Sequence, residues 1–143
     1  MNHDLLHEQA SELEQLLPAL MRHLFILDPD SPTAELPFAQ LRVLTILQAG
    51  PRSVAVLRVD LGVSFSAISQ IAARLERRGM VDRVAGVQDR RTRHVQLTAR
   101  GAEIMAMRRE ARIQRIREAL GHLTPDEREA VLKSVTILLH VGI

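Results

Sequence analysis

Leu6, Leu13, Leu16, Leu17, Leu20 and Leu24 recur at helical spacing through the start of the chain, with Glu and Gln between them. Apolar residues returning every three or four positions line one face of a helix, so the spacing predicts a helix from Leu5 to Leu27. Pro18 lies inside it; it lacks an N–H and clashes with the preceding turn, so it is expected to kink or divide the helix. Residues 28–37, DPDSPTAELP, carry three prolines and read as a linker. Pro37 to Ala49 predicts a second helix, with Leu41, Leu44 and Leu47 inward and Gly50 as its stop. Ser53 is the N-cap of a short third helix ending near Leu61. Gly62 then turns the chain, and Ser64 caps a fourth helix over Phe65–Arg78. Ile68, Ile71 and Leu75 share one face of it, and Gly79 breaks it.

Past Gly79 the period changes. Met80–Ala85 and Arg93–Leu97 alternate as a two-stranded hairpin does. Thr98 can cap a fifth helix running to about Leu120, stopped by Gly121. Thr124-Pro125-Asp126-Glu127 is a capping box with proline at the first helical position, and it starts a last helix. The expected fold is mainly α with a small β-hairpin wing, a winged helix-turn-helix whose terminal helices form a homodimerisation region. Three segments are expected: an N-terminal helical dimerisation region and linker (1–36), a winged helix-turn-helix DNA-binding domain (37–98), and C-terminal dimerisation helices (99–143). The run LKSVTILLHVGI is apolar for a chain end, and a second copy would bury it.

Composition narrows the function. At 46% hydrophobic and 25% charged the chain can bury a core. Aromatics are 2%, with no Trp or Tyr, which argues against a single-strand binder that stacks bases. The absence of Cys excludes a disulfide framework, a cysteine zinc site and a thiol switch. No apolar run approaches a membrane span. The start, MNHDLLHEQASELEQ, is acidic and lacks a positive leader before an apolar core, so no signal peptide and a cytoplasmic location are expected. Charge is unevenly spread. Residues 1–40 are net −6, residues 41–100 net +7 and residues 101–143 net +1. The positive charge thus falls on the segment with the winged-helix pattern, as an electrostatic footprint for phosphates requires. Lys133 is the sole lysine among 19 basic residues; arginine suits bidentate phosphate and guanine contacts and narrow minor grooves.

With Ile68, Ile71 and Leu75 inward, the fourth helix turns Phe65, Ser66, Ala67, Ser69, Gln70, Ala73 and Arg74 outward. Gln70 can pair bidentately with adenine, Ser66 or Ser69 can bond a base or phosphate, and Phe65 or Ala67 can touch a thymine methyl. Arg74 and Arg78 are phosphate clamps in this reading. Arg90 or Arg91 at the hairpin tip can enter the adjacent minor groove, and Asp89 can hold one of them by a carboxylate–guanidinium fork. Ser64 and Arg93 complete the candidate DNA-binding set. Arg108, Arg112 and Arg115 share a face of the fifth helix, where they line an anion pocket, meet the acidic first helix, or form a solvated face.

His3 and His7 are spaced as two metal ligands, but no third ligand stands at motif spacing, so neither a metal nor another cofactor is expected. No phosphate-cradling glycine loop, GxSxG or HExxH is present, and no enzyme is expected. The competing reading is a winged helix used as a protein-interaction adaptor. It predicts a neutral recognition face and a degraded wing tip, against the +7 of the middle segment.

Residues 35–130 resemble the MarR (multiple antibiotic resistance regulator) family of bacterial transcription regulators. LPFAQLRVLTILQAGP is similar to its second helix, LGVSFSAISQIAARLERRGMVDR to its turn and recognition helix, QDRRTRHVQLTARG to its wing and fifth-helix start, and LTPDER to the lead-in of its last helix. The wing includes an Asp-x-Arg feature as Asp89-x-Arg91, so the resemblance makes Arg91 the Asp-paired arginine. Gln70 stands where the family often has Arg, and VAVLRVDLG is richer in β-branched residues than its usual third helix. The resemblance implies a triangular homodimer on a pseudo-palindromic double-stranded operator, acting as a repressor and released by a small aromatic or anionic ligand. A ligand cavity between helices one, two and five would involve Leu20, His23, Leu24 and Arg108.

Overall fold

The computed structural model describes residues 2–25, 28–86 and 91–142. The chain divides into two compact units, one of Leu27–Arg109 and one of Met1–Ile26 with Glu110–Ile143. The boundary falls inside the fifth helix.

The first unit begins with turns. Asp28 Oδ1 accepts from the Asp30 amide, and Ser31, Ala34 and Leu36 donate back to Asp28, Ser31 and Thr33. The proline-rich stretch is therefore ordered, and it tucks Leu36 and Thr33 inward. Then come α2 (Phe38–Leu47), β1 (Arg52–Ser53), α3 (Val54–Leu61), α4 (Phe65–Arg77), β2 (Val81–Ala85), β3 (Arg93–Leu97) and the first turns of α5 (Ala99–Gly121). Val43, Leu44 and Leu47 of α2, Leu57 of α3, Ile68 and Leu75 of α4, Val81, Val95 and Met105 form its core. Each such side chain stabilises the unit by roughly 1.5–3 kcal/mol relative to exposure. Leu44 and Leu47 are buried as the spacing predicts; Leu41 is only half-buried, and Val43 takes the deeper position.

The sheet differs from the expected two-stranded hairpin. It has three antiparallel strands in the order β1-β3-β2. Arg52 and Ser53 pair with Val95 and His94, while Val81, Arg83 and Ala85 pair with Leu97, Val95 and Arg93. A two-residue strand is too short to carry a period, so alternation could not reveal β1. Strand β3 is thereby central, and Val95 is fully buried.

One joint connects the end of α4 to α5. The Thr98 hydroxyl donates to the Gly79 carbonyl at 2.7 Å and accepts from the Gly101 amide at 3.0 Å. The Thr98 amide donates to Met80 O. Thr98 is thus both the expected cap of α5 and a clasp on the end of α4. Gly101 lies so close that a Cβ there would run into the Met80 carbonyl.

The second unit contains α1 (Asn2–Leu24), the remainder of α5 and α6 (Pro125–His140). Helix α1 continues through Pro18 as one element, so of the expected kink or division, division does not occur. Proline removes one amide from the ladder, and the turns on either side supply the rest. Thr124 Oγ1 accepts from Glu127 N at 3.2 Å while Glu127 Oε2 accepts from Thr124 N at 2.8 Å, the reciprocal capping box the sequence predicts. Arg112 lies over the Phe25 ring, 4.4 Å from its centre, so this member of the arginine face is stacked on an aromatic. No residue of α6 is buried. No single helix among the described residues is long and apolar enough to cross a membrane.

Candidate nucleic-acid interface

Two capped helices and a tight turn build the site. Ser53 Oγ accepts from Val56 N at the start of α3, and Ser64 Oγ accepts from Ala67 N at the start of α4, each at 3.1 Å. Each cap satisfies an otherwise orphaned amide and is worth about 1 kcal/mol. Gly62 ends α3 with φ of +66°, a left-handed conformation open to glycine at little cost, and Val63 N closes back on Arg58 O. The outcome is a 110° turn between α3 and α4, within the range of DNA-binding helix-turn-helix pairs.

That turn leaves one side of α4 to solvent. Ile68, Ile71, Ala72 and Leu75 are buried on the other side. Ser66, Ser69 and Gln70 are exposed and Ala73 is half-buried, at the i, i+3, i+4, i+7 spacing of a single stripe. Phe65 stands at the first helical position and is 54% exposed, with Arg58 of α3 over its ring at 4.8 Å from the centre. Arg74, Arg77 and Arg78 ring the C-terminal end, all exposed. Glu76 of α4 meets Arg83 of β2 at 3.8 Å, an exposed pair that contributes little to stability.

A pattern described as the MarR family matches residues 34–92. Over 105 residues, 73% of this chain, the sequence is 30% identical to the uncharacterized HTH-type transcriptional regulator YfiV of Bacillus subtilis (strain 168). That stretch spans 66% of the relative's length. The crystal structure of RV1404 from Mycobacterium tuberculosis superposes with a TM-score of 0.79 at 26% identity, over 97% of this chain and 93% of that one. The chain belongs to the MarR family of transcriptional regulators. BpsR of Bordetella bronchiseptica, whose DNA binding is regulated by 6-hydroxynicotinic acid, shares the MarR fold with a TM-score of 0.62 at 24% identity, over 90% and 93% of the two chains.

Of the candidate DNA-binding residues, α4 brings Phe65, Ser66, Ala67, Ser69, Gln70 and Arg74 onto its outward side, with Ala67 half-buried. Ser64 accepts the cap bond at its hydroxyl oxygen, leaving its O–H and one lone pair to offer elsewhere. Arg78 is the C-cap residue of the helix and is exposed. In the wing, Arg91 and Arg93 are exposed, and the Gly86 amide donates to Thr92 O at 2.7 Å across the strand ends. Asp89 and Arg90 lie outside the described residues, and so does the Asp89–Arg91 fork. Leu20 and His23 are exposed on α1 and Leu24 is half-buried at its end; Arg108 is half-buried on α5, in the other unit. Sequence reasoning missed Arg58. It sits seven positions before Phe65 across a turn, and no periodicity links them.

Proposed function

We propose that this MarR-family chain is a cytoplasmic, sequence-specific double-stranded DNA-binding regulator that represses transcription as a homodimer on a pseudo-palindromic operator. Helix α4 enters the major groove, where Gln70, Ser66 and Ser69 meet base edges, and Arg74 and Arg78 hold phosphates. Arg91 and Arg93 of the wing, with Arg90 preceding them in sequence, are the residues for the adjacent minor groove. The observation that carries this reading is the 110° helix pair with a polar, exposed stripe on its second member. The net charge of +7 over residues 41–100 supports it against the adaptor alternative, which needs no phosphate-neutralising surface. The bare apolar face of α6 supports the dimer. BpsR, whose DNA binding is regulated by a small molecule, supports a further element of the proposal, control of DNA binding by a small aromatic or anionic ligand.

The test is a mobility shift with DNA from upstream of the protein's own gene, against an unrelated duplex of equal length, as salt is raised. Preference for its own DNA after non-specific binding has faded is the expected result. Absence of binding even at low salt would return the adaptor reading.

A further inference from the structure

Phe65 is one of three aromatic residues in the chain, and it stands in solvent at the first position of α4. Leaving a ring 54% exposed forfeits much of the stabilisation its burial would give. The ring is nevertheless held. The Arg58 guanidinium lies over it at 4.8 Å, inside the range at which a cation is attracted to an aromatic face. Arg58 is itself fixed at its backbone, because its carbonyl accepts from Val63 N in the turn. The α3–α4 turn therefore sets a guanidinium over a ring that is still 54% exposed. The contact favours one placement of the ring before any partner arrives, which lowers the rotamer freedom lost on binding.

Apolar groups in a major groove are few, and the chief one is the thymine 5-methyl. Resting on the reading of α4 as a major-groove helix, we infer that the Arg58–Phe65 pair is a preformed reader of a thymine methyl, with Phe65 making the contact and Arg58 acting as the positioning residue. Arg58 thereby becomes a specificity determinant although it lies outside the recognition helix. Its part is to hold the ring flat, so its loss reaches the methyl only through Phe65.

The experiment uses the full-length protein and a duplex that it enriches from a random-sequence pool. Each thymine of that duplex is replaced in turn by uracil, which removes the methyl and leaves the pairing intact. One symmetry-related thymine pair is expected to respond, with affinity falling roughly fourfold per half-site for one buried methyl. Phe65→Ala should bind thymine and uracil duplexes equally, and Phe65→Tyr should keep the wild-type ratio. Arg58→Ala should lose most of the ratio, and the double variant should lose no more than Phe65→Ala alone. A merely structural pair would shift the thermal midpoint and leave the thymine-to-uracil ratio intact. A wild-type ratio in Arg58→Ala, or a duplex with no uracil-sensitive thymine, overturns the inference while the regulator reading stands. A pool in which nothing is enriched overturns both.

Discussion

Gln70 and Arg91 are expected to fail in different ways when shortened. Gln70 is exposed in the middle of the α4 stripe, where a bidentate amide discriminates adenine by about 1–3 kcal/mol. Gln70→Ala should therefore lower affinity for the preferred duplex and leave binding to unrelated DNA nearly unchanged. Arg91 is exposed in the wing, and in the proposed reading it acts through charge and groove shape. Arg91→Ala should weaken operator binding strongly and flatten the salt dependence, with the protein still folded. Titrations at two salt concentrations separate the outcomes, and equal losses on both duplexes for Gln70→Ala would remove it as a base reader. The outward direction of Gln70 was legible in the sequence because Ile68, Ile71 and Leu75 fix the phase of the helix. The stack of Arg58 on Phe65 was not, because it depends on the 110° turn and leaves no period.

The elements were legible where local chemistry sets their ends. Ser53, Ser64 and Thr124 each cap the helix their position predicts, and each does so with a hydrogen bond inside four residues. Bonds that span the chain were not legible. Thr98 caps α5 as expected, yet its second bond reaches back to Gly79, and β1 exists only through its pairing with β3. The Thr98 joint gives a test at this scale. Gly101→Ala should force a methyl against the Met80 backbone and destabilise the winged-helix unit by about 1–3 kcal/mol, as overpacking does. Gly121, at the other end of the same helix, has open space where a methyl would stand, with no neighbouring atom within 4 Å, so Gly121→Ala should cost nothing or stabilise slightly. Urea unfolding of the two variants compares them directly, and similar midpoints would remove close approach as the reason for glycine at 101.

At the scale of the whole molecule the two units differ in what they can bury alone. The winged-helix unit has a core of its own, with Val43, Leu44, Leu57, Ile68, Leu75 and Val95 fully enclosed. The other unit leaves Leu132 61%, Ile137 58%, Leu138 44% and Leu139 77% exposed on α6, and Leu6 64% and Leu16 56% exposed on α1. Apolar surface on that scale marks an interaction site, and a symmetric second copy is the simplest cover for it. The apolar run of α6 was legible in the sequence, and its exposure is what the structure adds, because burial depends on contacts that no sequence period encodes. Leu138→Glu with Leu139→Glu should therefore halve the mass seen by light scattering at micromolar concentration, while the wild type is a dimer. The winged-helix unit should remain folded in the variant, because none of its core residues is touched. Operator affinity should still fall by about 10²–10⁴, since two half-sites no longer act through one linked pair of recognition helices. Loss of affinity without loss of mass would place these leucines in some other contact, and a monomeric wild type would rule out the dimer as the DNA-binding form.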